Sequence, residues 1–286
     1  MSARTVGVIG LGAMGFPMAL RVAAAGHRVW AVEANPDRCD DARAAGLEIC
    51  DIAKLADADI VLVLVATEAQ LDAVLQGGDG ALTVMRPGAT CVVMSTVGPA
   101  AVQKVAARAE EFGIAVLDIP VTGGVSGAAA GSLTLLAGGD PATLAEAQPV
   151  LTTMGSVSFC GERVGDGQAV KVVNQLLCSV HLAAAAEALT LARRLGLDTA
   201  RVLEAVRSGA GGSWMLNDRG PRMLDDDAPT LTALGIFVKD SDLVAAAAVD
   251  ADCEVPLLQV SRDKFRTAAQ LGFAAADDSR VYRAYD

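Results

Sequence analysis

The chain has 286 residues, of which 52% are hydrophobic and 3% aromatic, and its formal net charge is −11 at pH 7. This length favours two domains. The negative charge argues against a nucleic-acid partner, which needs a basic surface, and requires an anionic substrate to be captured by a local positive site.

Three features of the sequence bear on location and metal content. The apolar runs are short, and none approaches the roughly 20 residues of a membrane span. A strand-like segment starts too near the N-terminus to leave room for a signal peptide. The six cysteines form no CxxC pair and have no histidine cluster nearby, so we expect buried thiols and neither a metal site nor a disulfide framework. These features predict a cytoplasmic protein with no metal and no membrane partner.

The first half of the chain alternates strand-like and helix-like segments. Strands are expected at residues 6–10, 28–32, 60–65, 90–94, 115–119 and 133–137. Helices are expected between them, at residues 14–25, 38–45, 68–75 and 100–112. This alternation predicts βαβ units, and right-handed crossovers then give an α/β Rossmann-like fold, a doubly wound parallel sheet with helices on both faces.

The second half of the chain loses its strand signals. A long alanine- and leucine-rich helix is expected at 168–195, followed by helices at 200–208, 239–249 and 256–270. We therefore predict a Rossmann-like domain at 1–163 and an all-α domain at 164–286. The apolar helix offers more surface than one small domain can bury, which favours a homodimer or homotetramer.

A glycine-rich motif follows the first strand and opens the first helix. Its residues are Gly10, Leu11, Gly12, Ala13, Met14 and Gly15. Glycines at this spacing allow a tight turn, a close approach to a pyrophosphate and close helix packing, while the helix N-terminus attracts the phosphates. A lone GxGxxG motif is weak evidence, but its position between a strand and a helix predicts a dinucleotide site.

The second strand ends at Glu33, near the expected distance of about 20 residues beyond the motif for a ribose-binding acid. A carboxylate here accepts hydrogen bonds from ribose hydroxyls and repels a 2′-phosphate. The next residue is Ala34, so no adjacent arginine can bind that phosphate. We therefore expect NAD as the cofactor in preference to NADP.

Two further segments carry candidate chemistry. Thr122, Gly123 and Gly124 follow a strand end, where a hydroxyl and two unobstructed amides could hold a carboxylate; a purely structural loop is the alternative. On the long helix, Lys171 and the amide residues Asn174 and Gln175 share a face. A buried lysine favours the neutral amine, which can take a proton from an alcohol, although most lysines simply extend from a helix surface into solvent.

Together these segments resemble the β-hydroxyacid dehydrogenase family, which belongs to the 6-phosphogluconate dehydrogenase superfamily. Four segments match in order along the chain: 10–19, 118–124 with Gly127, 165–174 and 237–243; the pair 95–96 is also similar to a family segment. The resemblance implies a cleft between the two domains that holds NAD and a small anionic hydroxy acid. It implies that Lys171 is the general acid/base, that 122–124 hold the substrate carboxylate, and that Val65, Thr96 and Lys239 line the cofactor.

At one position the chain departs from the family pattern. Of the two adjacent amide positions, the second is commonly Asn in the family, and here it is Gln175. This puts the substrate hydrogen bond, and the identity of the substrate, in doubt. The run 174–187 is similar to the L-threonate branch more than to the 3-hydroxyisobutyrate branch.

Other interpretations stay open on sequence grounds. The same fold also suits an imine reductase, a tartronate semialdehyde reductase or a non-catalytic NAD-binding sensor. His181 could contact a polyol hydroxyl, but we expect a hydrogen-bonded core histidine, and we expect Glu187 to pair with a buried donor. Trp214 could cap the cleft or simply pack.

Overall fold

A computed structural model describes residues 3–285. The chain folds as two compact units, residues 1–171 and 172–286. This division lies eight residues later than the predicted one, which followed residue 163. The difference arises because the start of the long helix, up to Lys171, is hydrogen-bonded within the first unit.

The first unit contains a nine-stranded sheet. Its strands are β1 (Thr5–Ile9), β2 (Arg28–Val32), β3 (Glu48–Ile49), β4 (Ile60–Val63), β5 (Thr90–Val93), β6 (Ala115–Asp118), β7 (Val121–Thr122), β8 (Leu133–Gly138) and β9 (Gly155–Gly161). Strands β3, β2, β1, β4, β5 and β6 are parallel neighbours in that order. This arrangement confirms the predicted doubly wound sheet.

One edge of the sheet is not parallel. Strand β8 pairs antiparallel with β6 and β7, while β9 pairs parallel with β8. The chain reverses there because only a short helix of seven residues separates β7 from β8, too little for a parallel crossover. Strand β8 was predicted from the sequence, but its direction and its neighbours β7 and β9 were not.

Helices cover both faces of the sheet. They are α1 (Gly15–Ala24), α2 (Pro36–Ala44), α3 (Glu68–Gln76), α4 (Ala81–Val84), α5 (Pro99–Glu110), α6 (Gly124–Ala130) and α7 (Pro141–Leu151). Alternate strand residues enter opposite cores: Leu62 belongs to the core that includes residues of α1 and α7, and its neighbour Val63 to the core that includes residues of α3 and α5. This period of two, in strands apolar on both faces, is typical of a sheet buried on both sides.

The second unit is helical. The long helix α8 (Asp166–Arg194) leads into it, followed by α9 (Thr199–Val206), α10 (Trp214–Met223), α11 (Leu234–Asp250), α12 (Pro256–Ala268) and a 3₁₀ helix (Asp278–Tyr285). Leu182, Ala186 and Leu189 of α8 lie one turn apart and pack in a single core with Phe237 and Phe265. The predicted all-α composition of this part of the chain is therefore confirmed.

Helix α8 is 29 residues long, with a hydropathy of 1.4 over its most apolar 18-residue window, and is apolar enough by length and composition to cross a membrane. The expectation that no apolar segment approaches this limit is therefore wrong. Short apolar runs separated by single polar residues give the helix a high mean hydropathy. Inside the structure, 39% of that window is buried.

Candidate active site

The glycine-rich loop joins β1 to α1. Gly10 has φ +93°, and a Cβ atom there would lie 2.6 Å from the carbonyl oxygen of Leu64. At Gly15 a Cβ atom would overlap the carbonyl oxygen of Gly10. At Gly12, by contrast, it would meet no atom within 4 Å. The outer glycines thus permit close internal packing, and the middle one leaves the main chain open beside a helix N-terminus, which suits a dinucleotide phosphate.

Glu33 follows β2 and is bound to that loop. Its Oε2 accepts a hydrogen bond from the N–H of Leu11 over 2.6 Å. Its Oε1 accepts from the N–H groups of Ala34 and Asn35, each over 2.8 Å. The carboxylate is therefore held by three main-chain donors, while Ala34 itself is exposed.

The ends of β4 and β5 are tied together beside this loop. Val65 donates its N–H to Ser95 Oγ over 2.9 Å. The segment after Ser95 is fixed by Gln168, whose Oε1 accepts from Val97 and Gly98 over 3.1 and 3.0 Å. Gln168 Nε2 also donates to the carbonyl oxygen of Ser95 over 2.9 Å. The half-buried Thr96 therefore lies between residues that are both hydrogen-bonded to the fully buried side chain of Gln168.

The start of α8 is anchored by Asp118, the last residue of β6. Asp118 is fully buried, and its two oxygens accept from the N–H groups of Gly165 and Gln168 over 2.8 and 2.7 Å. Burial raises the pKa of Asp118 to about 6, against the opposing effect of these hydrogen bonds. A carboxylate at this helix N-terminus fixes the direction in which α8 leaves the sheet.

Lys171 lies near the start of α8 and is 7% exposed. Its Nζ donates to the carbonyl oxygen of Val121 over 2.8 Å. Val121 directly precedes the half-buried residues Thr122, Gly123 and Gly124. Both glycines have positive φ, +127° and +67°. The structure therefore brings the predicted acid/base residue to the predicted carboxylate-binding segment.

In the second unit the predicted site residues meet at Asp240. Gln175 Nε2 donates to Asp240 Oδ2 over 2.6 Å, and Asn174 Nδ2 donates to Gln175 Oε1 over 2.8 Å. Lys239 Nζ lies 2.9 Å from Asp240 Oδ1, an ion-pair distance without the alignment of a hydrogen bond. The predicted residues Asn174, Gln175 and Lys239 thus belong to one polar cluster.

Three residues that hold these sites were not singled out from the sequence. They are Asp118, Gln168 and Asp240. A weak signal existed for each, since Asp118 and Asp240 lie inside matched segments and Gln168 lies one turn before Lys171 on the same helix. Their partners lie 47 to 73 residues away in the chain, so no local pattern identifies them.

One expectation about α8 is wrong: His181 is exposed and is not a core histidine. Glu187 is also exposed, and its charge adds to burial in raising the pKa of the half-buried Tyr285. Trp214, at the start of α10, is 51% exposed, with the guanidinium of Arg219 5.3 Å from its ring centre. Among residues 3–285, no group of three or more His, Cys, Asp or Glu side chains could hold a metal ion.

A Rossmann-type sheet with an open glycine-rich loop and an acid at the end of β2 defines an NAD-binding oxidoreductase. The family model for the NAD-binding domain of 6-phosphogluconate dehydrogenase matches residues 5–165. The model for the NAD-binding domain of NADP-dependent 3-hydroxyisobutyrate dehydrogenase matches residues 165–285. The chain belongs to the β-hydroxyacid dehydrogenase family, whose members act on CH–OH groups.

Full-length relatives agree with this assignment. The chain is 38% identical to an L-threonate dehydrogenase of Cupriavidus necator, covering 99% of this chain and 96% of the relative. It is 32% identical to an NAD-dependent L-serine dehydrogenase of Pseudomonas aeruginosa, over 99% and 98% of the two chains. A crystal structure of 3-hydroxyisobutyrate dehydrogenase from Salmonella typhimurium superposes with a TM-score of 0.91 at 35% identity, covering 98% of this chain and 99% of that one.

Proposed function

We propose that the protein oxidises a short-chain hydroxy acid of the 3-hydroxyisobutyrate or L-threonate type, with Lys171 as general acid/base. The observation that carries this proposal is the buried amine of Lys171, hydrogen-bonded 2.8 Å from the Val121 carbonyl at the edge of the Thr122–Gly124 segment. A main-chain carbonyl accepts a hydrogen bond from either the ammonium or the neutral amine. Lys171 can therefore keep its position while it gains and loses a proton.

The substrate carboxylate is assigned to residues 122–124. The Thr122 hydroxyl and the main-chain N–H groups of Gly123 and Gly124 supply donors without a Cβ atom at either glycine. The net charge of −11 repels an anion from the protein as a whole. These local hydrogen-bond donors allow a carboxylate to bind in spite of that repulsion. In the same scheme Asn174 and Gln175 bind the rest of the substrate, Asn174 by direct contact and Gln175 through Asn174.

In the proposed reaction the substrate loses one proton and one hydride. The substrate hydroxyl transfers its proton to the neutral Lys171 Nζ, the carbinol carbon loses a hydride, and a carbonyl forms between that carbon and oxygen. NAD, when bound, supplies the hydride acceptor. Lys171 then releases its proton to solvent. The chain thus contributes orientation of the substrate and transfer of the proton at one defined nitrogen.

The cofactor is NAD, and we assign its adenosine ribose to Glu33. Its carboxylate is held by the N–H groups of Leu11, Ala34 and Asn35, which fixes a negative charge next to the glycine-rich loop. A 2′-phosphate in that place meets charge repulsion, and the exposed Ala34 offers it no positive partner. The remaining cofactor contacts are assigned to the loop 10–15, Val65, Thr96 and Lys239.

The test is NADH formation by the purified protein with a panel of acids. The panel contains L-threonate, D-glycerate, 3-hydroxyisobutyrate, 3-hydroxypropionate and L-serine, each with NAD and with NADP. Turnover of at least one acid with NAD supports the proposal. Tight NADH binding with no turnover on the panel or on the reverse reaction with semialdehydes contradicts it and favours an imine reductase or a non-catalytic sensor.

We also propose that the protein is a cytoplasmic homo-oligomer. Val173, Leu177, Leu191 and Leu195 recur along one stripe of the long helix and its end, and they are 59%, 51%, 59% and 65% exposed. Such a stripe suits burial against a second copy of the chain. All six cysteines are present as thiols and none as a disulfide, which is typical of a reducing compartment.

A further inference from the structure

The side chains of Asn174, Gln175 and Asp240 form a hydrogen-bonded relay in the second unit. Gln175 and Asp240 are 7% and 3% exposed, and 2.6 Å separates Gln175 Nε2 from Asp240 Oδ2. Asn174 is half-buried, and its Nδ2 donates to Gln175 Oε1 over 2.8 Å and to Cys178 Sγ over 3.4 Å. The relay thus runs from a buried charge to an amide nearer the surface.

The direction of every bond in this relay is set by Asp240. An ionised carboxylate only accepts hydrogen bonds, so the Gln175 amide must point its amino group at Asp240. The carbonyl oxygen of Gln175 then faces Asn174, and the side-chain amino group of Asn174 must donate the hydrogen bond to it. Because the Nδ2 of Asn174 serves Gln175 and Cys178, the carbonyl oxygen Oδ1 is the atom that Asn174 can offer to a ligand.

We infer that Asp240 acts through Gln175 as a positioning residue that makes Asn174 a pure hydrogen-bond acceptor. The substrate therefore carries a second donor, a hydroxyl or an ammonium group, in addition to the hydroxyl that is oxidised. This inference rests on the proposed function. An acceptor fixed in this way rejects analogues that carry only hydrogen or a methyl group at that place, since the half-buried carbonyl is then left without a partner.

Matched substrates test the inference directly. Glycerate and L-serine replace one C2 hydrogen of 3-hydroxypropionate by hydroxyl and by ammonium, and 3-hydroxyisobutyrate replaces it by methyl. L-threonate is compared in the same way with 2-hydroxybutyrate and with 3-hydroxybutyrate, each of which keeps one hydroxyl that could be oxidised and lacks the other two. We expect kcat/KM to be at least about tenfold higher for a donor-bearing acid than for its matched analogue. Comparing glycerate with L-serine shows whether the second donor is a hydroxyl or an ammonium group.

The variant Asp240→Asn keeps the shape of the side chain but can donate a hydrogen bond. The Gln175 amide can then turn over, and the Asn174 amide with it, so that Asn174 presents N–H groups to the ligand. We expect the kcat/KM ratio between matched substrates to fall to about one, mainly through a higher KM for the donor-bearing acid. The ratio in Asn174→Ala should fall as far, and adding Asp240→Asn to Asn174→Ala should change it no further.

Gln175→Met breaks the relay without altering a charge and repeats the test if Asp240→Asn does not fold. Thermal melting and NADH binding report on folding for each variant. A wild-type ratio near one, or an unchanged ratio in both Asp240→Asn and Gln175→Met, overturns the relay while leaving the dehydrogenase proposal intact. Absence of turnover with every acid overturns the proposed function itself, and the relay with it.

Discussion

Lys171 Nζ donates to the main-chain carbonyl of Val121 over 2.8 Å, joining the long helix to the segment that precedes Thr122. The two residues are 50 positions apart in the chain. A main-chain carbonyl neither gains nor loses a proton. Lys171 can therefore exchange a proton with a substrate while it keeps this hydrogen bond. We expect Lys171→Met to lower kcat by about a hundredfold to ten-thousandfold, the range for a lost general acid/base.

NADH binding separates this effect from misfolding. The variant should bind NADH with an affinity close to that of the wild type, as measured by fluorescence titration. Lys104→Met, which alters an exposed lysine on α5, is the matched control and should keep full activity. Full activity in Lys171→Met would refute the assignment of the acid/base.

Glu33 is expected to control the choice between NAD and NADP. Glu33→Ser removes the charge at the end of β2 and leaves a small hydroxyl. We expect the ratio of kcat/KM for NADP over NAD to rise at least about tenfold, since about 1.4 kcal/mol of lost repulsion suffices for that change. Initial rates with both cofactors measure the ratio, and Glu68→Ser, an exposed acid on α3, serves as control. An unchanged ratio would show that Glu33 does not face the ribose.

Gln168 is expected to stabilise the segment from Ser95 to Gly98, which is proposed to line the cofactor. Gln168→Ala removes two acceptor contacts, with Val97 and Gly98, and one donor contact, with Ser95. We expect the free energy of unfolding to fall by about 2–4 kcal/mol, and KM for NAD to rise. Urea unfolding and NAD titration measure the two effects. Gln103→Ala, with a single long contact of 3.4 Å to Val164, should change either quantity little.

The buried Asp118 carboxyl makes stability depend on pH with an unusual sign. Its folded-state pKa is about 6, above the ordinary value of 3.8. A raised carboxyl pKa means that the folded state binds the proton more tightly, so the contribution is greatest below pH 4 and is lost as pH rises to about 6. At about 1.4 kcal/mol per tenfold change in proton affinity, the loss is about 3 kcal/mol.

Urea unfolding of Asp118→Asn from pH 4 to pH 7 tests this. The free energy of unfolding of the variant, relative to the wild type, should rise by up to that amount across the interval. Asp140→Asn is a control of opposite sign, because hydrogen bonds from Thr143 lower the pKa of the exposed Asp140, which therefore stabilises the fold at neutral pH. Parallel curves for wild type and Asp118→Asn would contradict the prediction.

The exposed stripe on α8 predicts self-association. A double variant, Leu177→Glu with Leu191→Glu, puts two charges on residues that are 51% and 59% exposed, so it should dissociate the oligomer without unfolding the chain. Light scattering coupled to size exclusion measures the mass. Leu257→Glu, at a leucine on α12 that is 67% exposed, should leave the mass unchanged. A monomeric wild-type protein would refute this proposal.

Local patterns in the sequence were sufficient for the main elements of the fold. The glycine-rich motif between β1 and α1, the alternation of strands and helices, and the helical second half each depend on neighbours in the chain. For the same reason Lys171, Thr122 and Glu33 could be nominated as site residues, since each lies at a recognisable strand end or helix start.

Tertiary structure decided what those residues contact. The hydrogen bonds of Gln168 to Val97, Asp118 to Gly165 and Gln175 to Asp240 span 71, 47 and 65 positions in the chain. The same holds for the antiparallel direction of β8 and for the exposure of His181, which depends on what packs against its side of α8. Side-chain periodicity determines which face of an element is apolar, whereas the partner of a buried polar group depends on which distant segment the fold brings within 3 Å.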